Sequence, residues 1–313
     1  MRVLTNRLRA MLATAFALLL ACTALPMPAV ARDLVDLDRM CSLIIQVPSD
    51  VRTELSLYRV ADVSRSGDEY ALSGDFASYP VEVPKGDDAD WDSFAQTLAG
   101  LAGRDALKPT AVVDVSGSRA HATNLSVGLY LGVMKGSSNA SVRYEFQPFI
   151  VQLPTLGQDQ GQDVWVYDGV ATSPKHSDTA LDTIHAVKVW KDGGAAEKES
   201  SSRPQSISVD LLCDGVVAKS ATLSEQNSWR ATFGGLEPGH SWTVAESEVP
   251  TGYTVSVDRR GATFVVTNSA QDGSDQSLGN KLPQTSMLWW PVPVLLLLGA
   301  VLLVSGYARR GSE

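Results

Sequence analysis

Three side chains in this chain could do covalent chemistry together if the fold desolvates them: Lys191, Glu246 and Asn268. Val187, Val189 and Lys191 share one strand face by period-two alternation, and that face is the apolar one, so Lys191 is expected to point inward. Desolvation lowers the pKa of an ammonium and frees its lone pair as a nucleophile, whereas burial raises that of a carboxyl. A buried Glu246 would then be a neutral acid, able to donate a hydrogen bond to an amide carbonyl such as that of Asn268 and to move protons. Residue type matters here, since an Arg could not lose its proton and a Gln at 246 could not transfer one. Singly, each residue also has an ordinary reading: a strand-end Lys snorkels, a strand-end Asn caps a turn, a Glu near Pro is solvated. Glu248 has the strand parity of Glu246 but borders a turn and is expected in water. Lys188 is out of parity with Val187 and is expected to face solvent.

Other chemistries find little purchase. The four His are scattered singly and no Cys/His spacing is of the metal-binding kind, so no metal and no cofactor is expected. There is no phosphate-cradling glycine loop and no GxSxG elbow, and no nucleophile–base pair converges in the first half, so no turnover enzyme is expected. The net charge of −9, with no basic run outside the termini, argues against a nucleic-acid partner. Cys41 and Cys213 fall in different expected domains; a disulfide is not indicated, and two buried free thiols are expected.

The elements that must position these residues read as all-β, two immunoglobulin-like sandwich domains in tandem. In the first, 32–180, strand signals fall at 42–47, 55–60, 111–115, 129–133 and 149–153. One helix interrupts them: Asp88 or Asp90 can cap a segment in which Trp91, Phe94, Leu98 and Leu101 form a single apolar stripe for the sheet. A Gln/Asp/Gly run at 157–163 reads as an exposed loop. The second domain, 181–269, carries strand signals at 186–191, 207–212, 216–223, 228–233, 241–246, 253–257 and 263–268, with Gly- and Pro-bearing turns between them. Residues 270–281 hold too little apolar surface to fold and read as a flexible stalk.

Both ends carry export signals. Arg2, Arg7 and Arg9, an apolar core and Ala29-Val30-Ala31 make 1–31 a secretory signal peptide. A competing reading takes Leu19-Leu20-Ala21-Cys22 as a loose lipobox with Cys22 lipidated. At the other end Leu282-Pro283-Gln284-Thr285-Ser286 precedes an apolar span at 287–307 and a basic tail at 308–313 with Arg309 and Arg310. Roughly 20 apolar residues suffice to cross a bilayer, and the arginines hold the tail in the cytoplasm.

The order of polar motif, apolar span and basic stop resembles the LPxTG sorting signal of Gram-positive surface proteins, with Ser286 where Gly is usual. Val187-Lys188-Val189-Trp190-Lys191-Asp192, Arg203-Pro204-Gln205-Ser206-Ile207, the segment 223–229, Tyr253 and Val265-Val266-Thr267-Asn268 resemble a Cna B-type domain. Residues 242–253 resemble the pilin E-box, with Trp242 for Tyr, and 41–178 more diffusely resemble the amino-terminal domain of sortase-assembled pilins. The resemblance implies an isopeptide bond between Lys191 on the first strand and Asn268 on the last, promoted by Glu246. Segment 165–175 resembles the pilin motif, whose Lys, here Lys175, a sortase joins to the Thr of the next subunit's signal, here Thr285. The implied partners are a sortase, peptidoglycan, further pilin subunits and a host or bacterial surface ligand, with the membrane engaged through the carboxyl-terminal helix before sorting. The implied location is the cell wall, reached by secretion. A monomeric wall-anchored adhesin or a pilus base subunit is the alternative reading.

Overall fold

The computed structural model describes residues 33–49, 51–86, 89–138, 142–179, 181–192 and 203–271. The expected signal peptide, residues 272–281 of the expected stalk, the sorting-motif residues Leu282 to Ser286, the apolar span at 287–307 and the basic tail lie outside the described residues, whereas Ala270, expected in the stalk, closes the last strand. Among those described, no helix is long and apolar enough to cross a membrane.

The first half opens with β1 (Cys41–Gln46), β2 (Arg52–Val63) and β3 (Tyr70–Leu72), followed by helix α1 (Trp91–Arg104). Then come β4 (Ala111–Ser116), β5 (Arg119–Leu125), β6 (Gly128–Met134), β7 (Ser137–Ser138), β8 (Arg143–Phe146) and β9 (Phe149–Leu153). A hairpin of β10 (Thr155–Asp159) and β11 (Gln162–Val166) precedes β12 (Val170–Thr172) and β13 (His176–Ser177). The main sheet runs β3-β2-β6-β9 with β4 also on β2, and a second runs β12-β1-β5. Alternating apolar residues from both, among them Leu43, Ile45, Leu55, Leu57, Leu129 and Leu131, are buried in one core. The run 157–163 is not a loop. It pairs as a hairpin whose tip, Gln160 and Gly161, takes two positive φ angles, the geometry of a two-residue type I′ turn. Its polar side chains are exposed, which is why composition alone read as loop.

The second half holds the seven strands its alternation predicts: β14 (Thr183–Lys191), β15 (Ser206–Cys213), β16 (Val216–Ser224), β17 (Arg230–Gly234), β18 (Trp242–Glu246), β19 (Tyr253–Arg260) and β20 (Thr263–Ala270). One sheet runs β17-β14-β20-β19 and the other β16-β15-β18. Their facing sides bury Ile184, Ala186, Phe264 and Val266 against Val209, Leu211 and Val244, an immunoglobulin-like sandwich. First strand and last strand are neighbours here: β14 and β20 run parallel, with Lys188 opposite Val266 and Trp190 opposite Asn268.

Helix α1 belongs to both cores. Asp90 caps it, accepting from the Ser93 backbone N–H at 2.9 Å. Ten consecutive residues, 93–102, are buried, so the helix has no wet face over that stretch. Phe94 and Leu98 enter the first core and Leu101 the second. The approach on the second side is backbone to backbone, because a Cβ on Gly100 would lie 2.5 Å from the Val244 carbonyl oxygen. On β19, an edge strand, the Val257 N–H bonds the Thr97 hydroxyl at 2.8 Å and the Val255 N–H bonds the Pro80 carbonyl at 2.9 Å. The first half thus covers an edge that would otherwise be open to pairing.

Candidate functional site

β14 sets the site through its phase. Ile184, Ala186 and Lys188 are its buried positions, His185 and Lys191 its exposed ones, and Val187 and Val189 are half-buried on the outer side. On β20 the inward positions are Phe264, Val266 and Asn268; on β18 they are Trp242, Val244 and Glu246. Lys188 and Asn268 therefore project from neighbouring strands of one sheet, and Glu246 meets them from the opposite sheet. The Lys188 Nζ lies 3.2 Å from Glu246 Oε2, and the Asn268 side-chain amide donates to Glu246 Oε1 at 3.2 Å. One carboxyl bridges the amine and the amide, and neither charged side chain exposes any surface.

This corrects the sequence expectation for the lysine. Lys191 is exposed, pairs across the strands with Ser269 and lies outside the buried trio; Lys188, expected in solvent, is the inward residue. The apolar character of Val187 and Val189 set the wrong phase, since an outer strand face that is half-covered tolerates valine as readily as a core does. The phase is set by Ile184 and Ala186, which a reading begun two residues earlier would have used. Glu246 and Asn268 occupy the trio as read, and Glu248 is exposed.

Burial governs the electrostatics. Desolvation pulls the Lys188 ammonium down to about 8, against the opposing pull of Glu246. Desolvation likewise raises the Glu246 carboxyl above its ordinary range, with Lys188 opposing. Both groups are driven toward their neutral forms, a free amine beside a carboxylic acid. Trp190 lies over the amine, its ring centroid 4.5 Å from Nζ, and packs edge-on against Trp229 and Tyr253 at 5.5 and 5.2 Å. Asp192 ties down this aromatic cover by accepting from the Tyr253 hydroxyl at 3.2 Å and pairing with Arg203. The Asn268 Oδ1 is buried without a hydrogen-bond partner, leaving its carbonyl unsatisfied beside an acid able to donate. From the first half, Arg104 donates to the Glu246 backbone carbonyl at 2.9 Å while its fork grips Asp105 at 2.7 Å through both oxygens. Nothing in the pattern of α1 marks Arg104 for this contact, which spans 142 residues.

Lys175 lies apart from the trio. It follows buried Pro174 on the surface, 64% of its side chain is exposed, and its amine pairs with Asp92 in the first turn of α1. Its backbone carbonyl accepts from Gln147 N–H at 2.8 Å, so the segment is anchored and its amine end is outside. The two cysteines among the described residues are free, Cys41 buried and Cys213 half-buried. Desolvation pushes each thiol up to about 11.

Residues 184–269 match the family model of the Cna protein B-type domain. The Cna B-type match begins at the second residue of β14 and ends one residue short of the end of β20. Two B repeat units of the collagen-binding protein Cna of Staphylococcus aureus align at 16% identity and a TM-score of 0.27, covering 74% of this chain and 50% of that one. The full-length major pilin SpaD of Corynebacterium diphtheriae aligns at 14% identity and a TM-score of 0.28, covering 75% of this chain and 65% of that one. The T6 backbone pilin of Streptococcus pyogenes aligns at 13% identity and a TM-score of 0.31, covering 56% and 40%. No curated protein matches the chain.

Proposed function

We propose that this protein is a structural subunit of a Gram-positive surface fibre whose Cna B-type domain welds itself with an isopeptide bond between Lys188 and Asn268. The observation that carries the reading is the single buried carboxyl of Glu246 touching both the amine and the amide at 3.2 Å. In the neutral form of the trio, the Lys188 lone pair attacks the Asn268 side-chain carbonyl while the protonated Glu246 polarises its oxygen. Glu246 then carries the proton lost by nitrogen to the departing amide nitrogen. One C–N bond forms, one breaks, and one ammonia leaves, with the carboxyl returned to its starting state. The reaction happens once per molecule, so it is self-modification rather than turnover. By analogy with a disulfide of similar span, the bond removes roughly 4 kcal/mol of denatured-state entropy.

The assembly role rests on Lys175 and on the carboxyl-terminal motif. Lys175 offers an exposed amine, and Thr285 in Leu282-Pro283-Gln284-Thr285-Ser286 supplies the acyl partner for a sortase, which would join subunits to each other and the last one to peptidoglycan. Ser286 in place of Gly supports the second reading, a monomeric wall-anchored adhesin or pilus base subunit that binds a surface ligand.

Two measurements test the proposal. Mass spectrometry of the purified protein should find the sequence mass less one ammonia and a proteolytic fragment joining Lys188 to Asn268. Lys188→Met and Glu246→Ala should restore the full mass. A wild-type chain at full mass refutes the weld. Immunoblots of wall extracts boiled in detergent should show a ladder that Lys175→Ala abolishes, whereas a single monomer band leaves the anchored adhesin.

A further inference from the structure

A second cluster of reactive side chains sits at the opposite end of β15 from the Glu246 contact. Cys213 ends that strand, Asp214 and Gly215 make its two-residue turn into β16 with φ of +50 and +82°, and His240 lies two residues before β18. The register places Cys213 opposite Trp242, so the turn and the segment leading into β18 converge although 26 residues separate Asp214 from His240. The Cys213 sulfur, an Asp214 carboxylate oxygen and a His240 ring nitrogen all lie within 4.8 Å of one another.

We propose that Cys213, Asp214 and His240 form a binding site for a divalent cation of the zinc class. The three donors are a thiol, an imidazole and a carboxylate, the set that borderline-soft cations select and that magnesium and calcium do not. Tetrahedral coordination at ordinary bond lengths needs donor separations of roughly 3.3–3.8 Å, so the Asp214–His240 hydrogen bond at 2.6 Å has to open, and the sulfur, within 4.8 Å, to draw in, by about an ångström of side-chain motion. Asp214 is already aimed. Its Oδ1 accepts from the Gly136 N–H at 2.7 Å and the Ser241 N–H at 2.9 Å, which directs Oδ2 at His240 Nδ1, 2.6 Å away. Fixing a ligand's second oxygen in this way is how outer contacts orient a metal site. His240 keeps 37% of its side chain exposed, which supplies an entry path and leaves the fourth position to water. Binding would replace the Cys213 S–H bond by a sulfur–metal bond and release one proton. Because Gly136 belongs to the first half of the chain, the cation would also tighten the seam between the halves.

Cobalt(II), which reports thiolate ligation by its colour, tests this on the purified full-length protein in detergent. The expected result is a sulfur-to-cobalt charge-transfer band with tetrahedral d–d absorption, displaced by zinc and kept in Cys41→Ser. Cys213→Ser should lose the band. His240→Ala, at a half-exposed position outside the core, should weaken zinc binding at least tenfold while the fold persists. No charge-transfer band in the wild type, a band that survives Cys213→Ser, or unchanged zinc affinity in His240→Ala overturns the site.

Discussion

Lys188 and Lys191 stand three residues apart on one strand and have opposite fates, which makes them a controlled comparison. Lys191→Ala should leave the loss of ammonia complete, while Lys188→Met should abolish it, read by intact mass. The pH response follows from the two shifts. In Asn268→Ala, which cannot form the bond, the Lys188 pKa is depressed in the folded state, so its favourable contribution is full above about 10.5 and lost as pH falls through about 8. Glu246 is raised, so its contribution is full below 4.5 and lost as pH rises through its elevated value. The stability of Asn268→Ala relative to Lys188→Met/Asn268→Ala, a difference in which the burial of Glu246 is common to both, should therefore rise as the pH is raised from about 8 toward 10.5. A flat difference would mean that the buried pair does not titrate as burial demands. The sequence disclosed the acid and the amide because Glu246 and Asn268 fall on strands whose apolar alternation is unbroken. It misassigned the amine because β14 is apolar on both faces, and the phase then depends on Ile184 and Ala186.

At the scale of elements, α1 was legible as a helix and illegible as a wedge. Its large apolar residues make the one stripe that periodicity detects; apart from Leu101, its second packing face is built from Gly100, Gly103 and Thr97, which carry no hydrophobic signal. Small residues are what a helix needs to approach another backbone closely, and only the fold says which backbone. Replacing Gly100 by Leu should destabilise the protein by about 2–4 kcal/mol in urea titration, since the new side chain meets the Val244 carbonyl rather than a void. Arg104 reaches from this helix to the Glu246 carbonyl, so docking of the first half steadies the acid to which the proposed weld assigns proton transfer. Arg104→Ala should slow crosslinking of newly synthesised protein about tenfold, followed by the time course of ammonia loss after a pulse of cell-free translation, without changing its end point. An unchanged rate would limit Arg104 to a packing role.

For the whole molecule, the sequence reads as two domains end to end, whereas the described residues cluster as a single compact unit within 1–271. Two cores remain distinct, but the surfaces between them are fitted to each other. Arg259 and Glu145 meet across that seam at 2.8 Å with 7% and 8% of their side chains exposed, and Arg259 also lies 5.1 Å from the Phe264 ring. Removing one partner strands a buried charge. Glu145→Ala should cost about 3–5 kcal/mol, and Glu145→Leu with Arg259→Met should recover most of that, measured by chemical denaturation. Such pairings escape sequence reading because the partners are far apart in the chain and each is an ordinary surface residue type.

The neighbouring placement of β14 and β20 also decides how far a welded protein could be drawn out. With the proposed amide in place, a chain gripped before Thr183 and after Ala270 would transmit a pull through 183–188, across that amide and out through 268–270, leaving the 79 residues between as a slack bight. An optical-trap extension curve of wild type should fall short of Lys188→Met by about 270 Å, the reach of that many extended residues.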